Sequence, residues 1–217
     1  TGIAAVNLGG QTLHSFAGIG LANGLGDNQK VINKIRKNMK AVKRWQDARV
    51  LIIDEISMID KSVFELIDLV ARDIRRNDAP FGGLQMVLVG DFLQLPPIPN
   101  RFSKQREFCF ESSVWNDLGL GVVDEHGRIY AHEEGVITLN QVVRQSDNDF
   151  ISLLNDIRIG KVSTDQLAML NGCVVDRKAR PNDGIVPTKL YSINRDVDKE
   201  NMDRLNKYYY NALLTTG

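Results

Sequence analysis

The sequence predicts an α/β protein built on a parallel sheet. Two short, wholly apolar runs predict it, residues 50–53 and 86–89, with one long amphipathic stretch between them. Four residues are too few for a helix and suit a strand buried in a parallel sheet, where both faces are covered. Strand, helix, strand in that order is the unit from which such sheets are assembled.

The elements follow in chain order. Residues 1–20 are rich in Gly and small side chains (Thr1-Gly2-Ile3-Ala4-Ala5, Gly9-Gly10, Thr12 to Phe16), which lets backbone approach a ligand closely. They hold no GxGxxG fingerprint. Residues 28–45 predict one helix, with Val31, Ile32, Ile35, Met39, Val42 and Trp45 on its apolar face. Lys30, Lys34, Lys37, Lys40, Lys43 and Arg44 lie mostly off that face and read as solvated. Asp60 is placed to cap the next helix, whose inner face is Val63, Leu66, Ile67, Val70 and Ile74. Arg72, Arg75 and Arg76 line its other side. Pro80-Phe81-Gly82-Gly83 ends the pattern before the second strand. Residues 122–130 predict a polar hairpin turning near Gly127, within an insertion that runs to 137. Helices are expected over 147–158 and 164–170, a loop at Pro181-Asn182-Asp183-Gly184, and a strand near 189–193.

Bulk composition narrows the classes. The 217 residues allow one large domain, or one and a half. Apolar content of 43% against 25% charged is the balance of a soluble globular protein. The 27 basic and 27 acidic residues cancel, so any nucleic-acid surface must be a local basic patch. Cys109 and Cys173, without a CxxC pair, argue against a disulfide framework or a zinc site and fit a reducing compartment. No apolar run reaches eighteen residues, so no membrane span is expected. The start has neither an initiator Met nor a signal-peptide pattern, and the chain reads as cut at both ends.

The chemistry sits at the two strand ends. Asp54-Glu55-Ile56-Ser57-Met58 follows the first strand and Gly90-Asp91-Phe92-Leu93-Gln94-Leu95-Pro96-Pro97 follows the second. Nucleotide hydrolysis needs magnesium between the β- and γ-phosphates and a water aimed at the γ-phosphorus. Asp54 suits the metal, through water, and Glu55 suits the attacking water. Gln94, on a loop stiffened by Pro96-Pro97, suits a γ-phosphate sensor. An acid pair after a strand also serves simply to cap a loop; the second segment tips the balance toward chemistry.

These residues resemble the Pif-one (petite integration frequency) branch of superfamily-one DNA helicases. Thr1-Gly2-Ile3-Ala4-Ala5 with Gly10, Thr12, Leu13, His14, Ser15 and Phe16 resembles motif Ia. Residues 54–58 resemble motif II, and residues 90–97 motif III. Ala71-Arg72-Asp73-Ile74-Arg75-Arg76-Asn77 with Pro80 to Gln85 resembles the segment peculiar to this branch, which sets it apart from RecD-type helicases. Leu139, Val142, Val143, Arg144 and Gln145 resemble motif IV, followed by Phe150 and by Leu153 through Arg158-x-Gly160. Lys189-Leu190-Tyr191-Ser192 with Asn194, Val197 and Asn201 resembles the stretch beyond.

The resemblance implies a RecA-like P-loop NTPase fold, with 1–138 in a first motor domain and 139–217 beginning a second. It implies an ATP-dependent 5′-to-3′ DNA helicase using ATP and Mg2+ on single-stranded and forked or structured DNA. The expected setting is repair, recombination and telomere or genome maintenance, as a monomer, in a nucleus or mitochondrion. Asp54, Glu55, Gln94 and Arg144 are the implied nucleotide and catalytic residues; Arg144 would reach the γ-phosphate from the second domain. Gly2, Thr12, His14, Ser15 and Phe16 would lie along the DNA strand. Without the resemblance, Arg144 reads as a surface ion pair and Phe16 as core. His126 and His132 receive no role. The family's Gly-Lys-Ser/Thr phosphate loop is expected roughly twenty to thirty residues before Thr1, and Gly160-Lys161 is no substitute. Two rival readings are a non-catalytic nucleic-acid-binding protein of the same fold and a RecD-like helicase.

Overall fold

The computed structural model describes residues 2–7, 9–20, 27–98, 106–123, 129–131, 135–174 and 188–215. It forms two compact units, Thr1–Val162 and Ser163–Gly217. The first runs α1 (Gly2–Asn7), α2 (Leu13–Ala17), α3 (Asn28–Arg36), α4 (Met39–Asp47), β1 (Val50–Ile53), α5 (Lys61–Arg75), β2 (Gln85–Leu88), α6 (Ser113–Asp117), β3 (Gly121–Val123), β4 (Ile129–Ala131) and α7 (Asn148–Arg158).

β1 and β2 pair in parallel, Val50 against Gln85 through Ile53 against Leu88, as the strand-helix-strand order predicts. The apolar runs predict burial of both faces; among the described residues one face is buried. Leu51 and Ile53 point into the core, whereas Val50, Ile52 and Val87 are exposed, Ile52 at 66%. Among the described residues the helices that pack on this pair cover a single face.

α5 supplies the largest share of the buried core. Asp60 accepts the Val63 N–H at 2.8 Å, capping the helix as its sequence suggests. Val63, Leu66, Ile67, Val70 and Ile74 are all buried, together with Phe64. Each such side chain contributes about 1.5–3 kcal/mol by leaving water. Phe64 packs edge-on against Phe81 at 5.1 Å between ring centres.

The helix expected over 28–45 is two helices. Asn38 accepts the Ala41 N–H at 3.2 Å and starts α4 afresh, because an Asn side chain competes well for backbone at a helix start. The break shifts the register. Ile32, Ile35, Ala41 and Trp45 are buried, while Met39 is 72% exposed at the first position of α4.

The stretch between α5 and β2 is a clamp made by α5 itself. Phe81, Gly82 and Gly83 all have positive φ. A Cβ on Gly82 would stand 2.6 Å from the Ala71 carbonyl oxygen, so only glycine fits there. Asp68, 3% exposed, accepts the Phe81 N–H at 2.7 Å and the Arg72 Nε at 2.7 Å. Arg72 also donates to the Asp78 carbonyl, and Arg75 Nε donates to the Gly82 carbonyl at 2.7 Å. Two of the three arginines expected on a solvated face are therefore structural.

β3 and β4 pair antiparallel, Val122 opposite Tyr130, where the hairpin is expected. Its turn, with His126 and Gly127, lies outside the described residues, as do His132 and the 181–184 loop. α7 begins after Asp147, which caps it by accepting the Phe150 N–H at 3.0 Å.

The second unit contains α8 (Thr164–Gly172) and α9 (Asn194–Thr215). The strand expected near 189–193 does not form; its described residues have no partner strand among the described residues. Lys189 and Tyr191 instead reach α9, where Glu200 accepts from Lys189 Nζ at 2.6 Å, Tyr191 Oη at 3.2 Å and Arg204 Nε at 2.9 Å. The Lys189 and Arg204 bonds pull the Glu200 carboxyl down to about 2. No described helix is long and apolar enough to cross a membrane.

Candidate nucleotide site

The two strand ends are tied to one another. The Val89 N–H donates to the Ile53 carbonyl at 2.9 Å, and the Ile56 N–H donates to the Val89 carbonyl at 3.0 Å. The chain therefore turns immediately after Ile53, and Glu55 takes a left-handed conformation, φ 56 and ψ 44. That conformation is strained for a residue with a side chain, and such strain gathers at functional sites. It also resolves the parity of a strand. Asp54 and Glu55 would point to opposite faces if the strand continued, but the turn leaves both carboxylates exposed. Asp54 Oδ1 accepts the Glu55 N–H at 3.0 Å, and Oδ2 has no partner among the described residues.

Gly90 makes the crossing possible. A Cβ there would lie 3.0 Å from both the Ile56 amide nitrogen and its Cγ2. The Gly-Asp segment is thus pressed against the Asp-Glu turn.

Asp91 then builds the next turn. Its Oδ1 accepts the Leu93 N–H at 3.0 Å, its carbonyl accepts the Gln94 N–H at 3.0 Å, and its Oδ2 accepts Gln94 Nε2 at 3.1 Å. Phe92 anchors the loop from beneath, against Phe110 at 5.0 Å and Trp115 at 5.8 Å. Pro97 is buried. Arg158, at the end of α7, donates Nη2 to Asp91 Oδ1 at 2.8 Å. Burial pushes the Asp91 carboxyl up. The bonds from Leu93, Gln94 and Arg158, with the Arg158 charge, outweigh it and hold the group below the usual carboxylate range.

Asp54, Glu55 and Gln94 therefore lie on two adjoining turns. Arg144 does not join them by any hydrogen bond or ion pair among the described residues; it is exposed on the stretch before α7. No described cluster of three or more His, Cys, Asp or Glu could enclose a metal ion. Two exposed carboxylates with spare oxygens suit a largely hydrated magnesium, which takes few protein ligands when phosphates supply the rest.

The residues expected along a DNA strand occupy α1 and α2. Gly2 opens α1 and is exposed. Thr12 caps α2, its Oγ1 accepting the Ser15 N–H at 3.3 Å, and its hydroxyl proton has no acceptor among the described residues. Ser15 Oγ donates to Gln11 at 3.1 Å, and His14 is half-buried. Phe16 packs edge-on against Trp45 at 4.9 Å, so its core role is satisfied within the fold. Arg44 reaches across from α4 to donate to the Ser15 and Phe16 carbonyls. An open groove beside them is lined by Phe16, Lys40, Lys43, Arg44, Asp47 and Ala48. It includes none of the acid-pair residues.

Three residues that fall in the resembling segments received no role from the sequence. Arg158 lies far along the chain from Asp91, and nothing local pairs them. Asp91 was legible only as part of Gly-Asp-x-x-Gln, a spacing that fits a turn closed by its own side chain. Ser57 is fully buried beside the acid pair, and its hydroxyl has no partner among the described residues.

The family model described as PIF1-like helicase matches residues 1–168. The chain belongs to the PIF1-like helicase family. It is 40% identical over 215 residues to the ATP-dependent DNA helicase PIF1 of Candida albicans, a match covering 95% of this chain and 22% of that protein. The crystal structure of Pif1 helicase from Candida albicans superposes with a TM-score of 0.75 at 41% identity, over 95% of this chain and 42% of that one. Pif1 helicase from Bacteroides, solved in complex with ADP-AlF3 and ssDNA, gives 0.72 at 30% identity, over 95% and 46%. The α/β fold with its parallel strand pair is the RecA-like fold of these PIF1-like helicases. The chain spans about a fifth of the length of the curated PIF1 relative.

Proposed function

We propose that this chain is the middle of an ATP-dependent DNA helicase, with 1–138 in its first motor domain and 139–217 opening the second. It couples ATP hydrolysis to 5′-to-3′ movement on single-stranded DNA and to unwinding of forked or structured duplexes, in repair, recombination and telomere or genome maintenance. The observation that carries the reading is the contact between the Asp54-Glu55 turn and the Gly90 to Gln94 turn, closed by the Ile56–Val89 hydrogen bond. It sets the turns that bear two carboxylates and an amide side by side, an arrangement that suits a nucleotide's terminal phosphate. The named activity of the PIF1 relative and the ADP-AlF3 and ssDNA held by the Bacteroides protein support it.

In this reading Asp54 holds Mg2+ through water, and the ion would offset charge on the β- and γ-phosphates. Glu55 accepts a proton from the attacking water and orients it. Gln94 contacts the γ-phosphate. Arg144 closes over the nucleotide from the second motor domain, linking domain closure to stabilisation of transition-state charge. Gly2, Thr12, His14, Ser15 and Phe16 line the DNA path. The basic groove beside Phe16 extends that path with Lys40 and Lys43, which supports a local rather than global attraction for phosphate.

The test is a full-length helicase carrying this chain. Single-stranded DNA is expected to stimulate its ATP hydrolysis, and a fork with a 5′ tail is expected to be unwound. Hydrolysis indifferent to DNA would overturn the reading. In the same protein Arg144→Ala is expected to lower kcat by about a hundredfold while the Kd for ATP moves only a few-fold. Equal losses in both would make Arg144 a binding or structural arginine.

A further inference from the structure

We propose that Arg158 is a positioning residue for ATP hydrolysis, acting through Asp91 on the Gln94 amide. The three groups form one relay: Arg158 Nη2 to Asp91 Oδ1 at 2.8 Å, and Asp91 Oδ2 to Gln94 Nε2 at 3.1 Å. The proposal rests on the reading of Gln94 as the γ-phosphate contact.

The chemistry of the amide gives the relay its purpose. A glutamine presents an acceptor oxygen at one side and a two-proton donor at the other. A phosphate only accepts, so a sensing glutamine must offer nitrogen. An ionised carboxylate also only accepts. Asp91 therefore fixes which end of the amide is nitrogen, and it takes one of the two N–H protons while leaving the second to point outward. A free carboxylate, however, is a poor neighbour for a triphosphate, because like charges repel. Arg158 removes that conflict by neutralising Asp91. The Leu93 N–H on the same oxygen holds the carboxylate in the turn, so the acceptor cannot rotate away.

The position of Arg158 adds a consequence. It ends α7, the helix that follows Arg144; α7 falls within the first compact unit and its Leu153 is buried, while in the reading above the same helix belongs to the opening of the second motor domain. A change at Gln94 on loss of the γ-phosphate thus reaches α7 through the Asp91–Arg158 contact, and movement of α7 reaches Gln94 the same way. Both partners are partly exposed, so the contact adds little to stability and is free to break.

The test compares single and double variants in a full-length helicase carrying this chain, by DNA-stimulated ATPase kinetics. Arg158→Ala is expected to lower kcat about tenfold with KM for ATP nearly unchanged. Asp91→Asn, which keeps shape but offers a nitrogen of its own, is expected to do the same. Arg158→Lys restores part of the loss, since one ammonium replaces the guanidinium fork. The decisive comparison is in a Gln94→Ala background, where Arg158→Ala is expected to cost nothing further. Losses that multiply there, or a kcat untouched by Arg158→Ala, overturn the relay. Should Arg158→Ala not fold, Asp91→Asn with and without Gln94→Ala makes the same comparison. A parent enzyme without DNA-stimulated hydrolysis would fail the proposed function itself, and is thereby distinguished from failure of the relay alone.

Discussion

Glu55→Gln is expected to lower DNA-stimulated ATP hydrolysis by about a thousandfold while nucleotide binding survives. The amide keeps the length and shape of the side chain but cannot take a proton from water. Little else should change, because among the described residues the Glu55 side chain makes no hydrogen bond that the exchange would break. Its backbone N–H, bound to Asp54 Oδ1, is retained, and so is the left-handed turn at φ 56. The variant therefore separates chemistry from folding. Steady-state hydrolysis with single-stranded DNA gives kcat, and a fluorescent nucleotide gives Kd. Undiminished turnover would remove Glu55 from the reaction. A parallel collapse of binding would mean that the turn, rather than the carboxylate, had been damaged.

Much of that site was legible in the sequence because it is local. An apolar run that stops at two acids, and another that stops at Gly-Asp, mark strand ends without any tertiary knowledge. α5 was equally legible, since its apolar spacing and the Asp60 cap lie within one helix. Most of what the residues alone did not reveal depends on distant partners, the local Asn38 cap being the exception. Asn38 as a fresh cap inside a basic amphipathic stretch gives no periodic signal, so α3 and α4 merged. Residues 189–193 carry strand-forming side chains, but a strand needs a partner, and Glu200 on α9 holds Lys189 and Tyr191 instead. Arg158 and Asp91 are joined by a bond across 67 positions that no window contains.

Arg72 and Arg75 show the same limit most clearly, since charge on the face of α5 away from its apolar side suggests solvent. Arg75→Ala is expected to destabilise the first compact unit by roughly 3 kcal/mol, because a charged donor shared among carbonyls with no other partner among the described residues is worth about 1.5–3 kcal/mol per bond and such bonds do not simply add. Arg75 Nη1 donates to the Trp45 carbonyl at 2.6 Å and the Ala48 carbonyl at 2.8 Å, while Nε donates to Gly82 at 2.7 Å. The first of these carbonyls sits in the last turn of α4 and the second just past its end, where intrahelical donors run out and a cation is favoured. The third belongs to the left-handed turn that leads into β2. One guanidinium thus joins the end of α4, the approach to β1 and the approach to β2, and so helps hold the strand pair that carries Asp54 and Gln94. Lysine cannot span these directions from one ammonium, so Arg75→Lys is expected to recover less than half of the loss. Thermal unfolding reads the effect as a fall of about 6–12 °C in the midpoint for a unit of this size. A normal midpoint together with weakened single-stranded DNA binding and a shallower salt dependence would reverse the assignment, making Arg75 a phosphate contact.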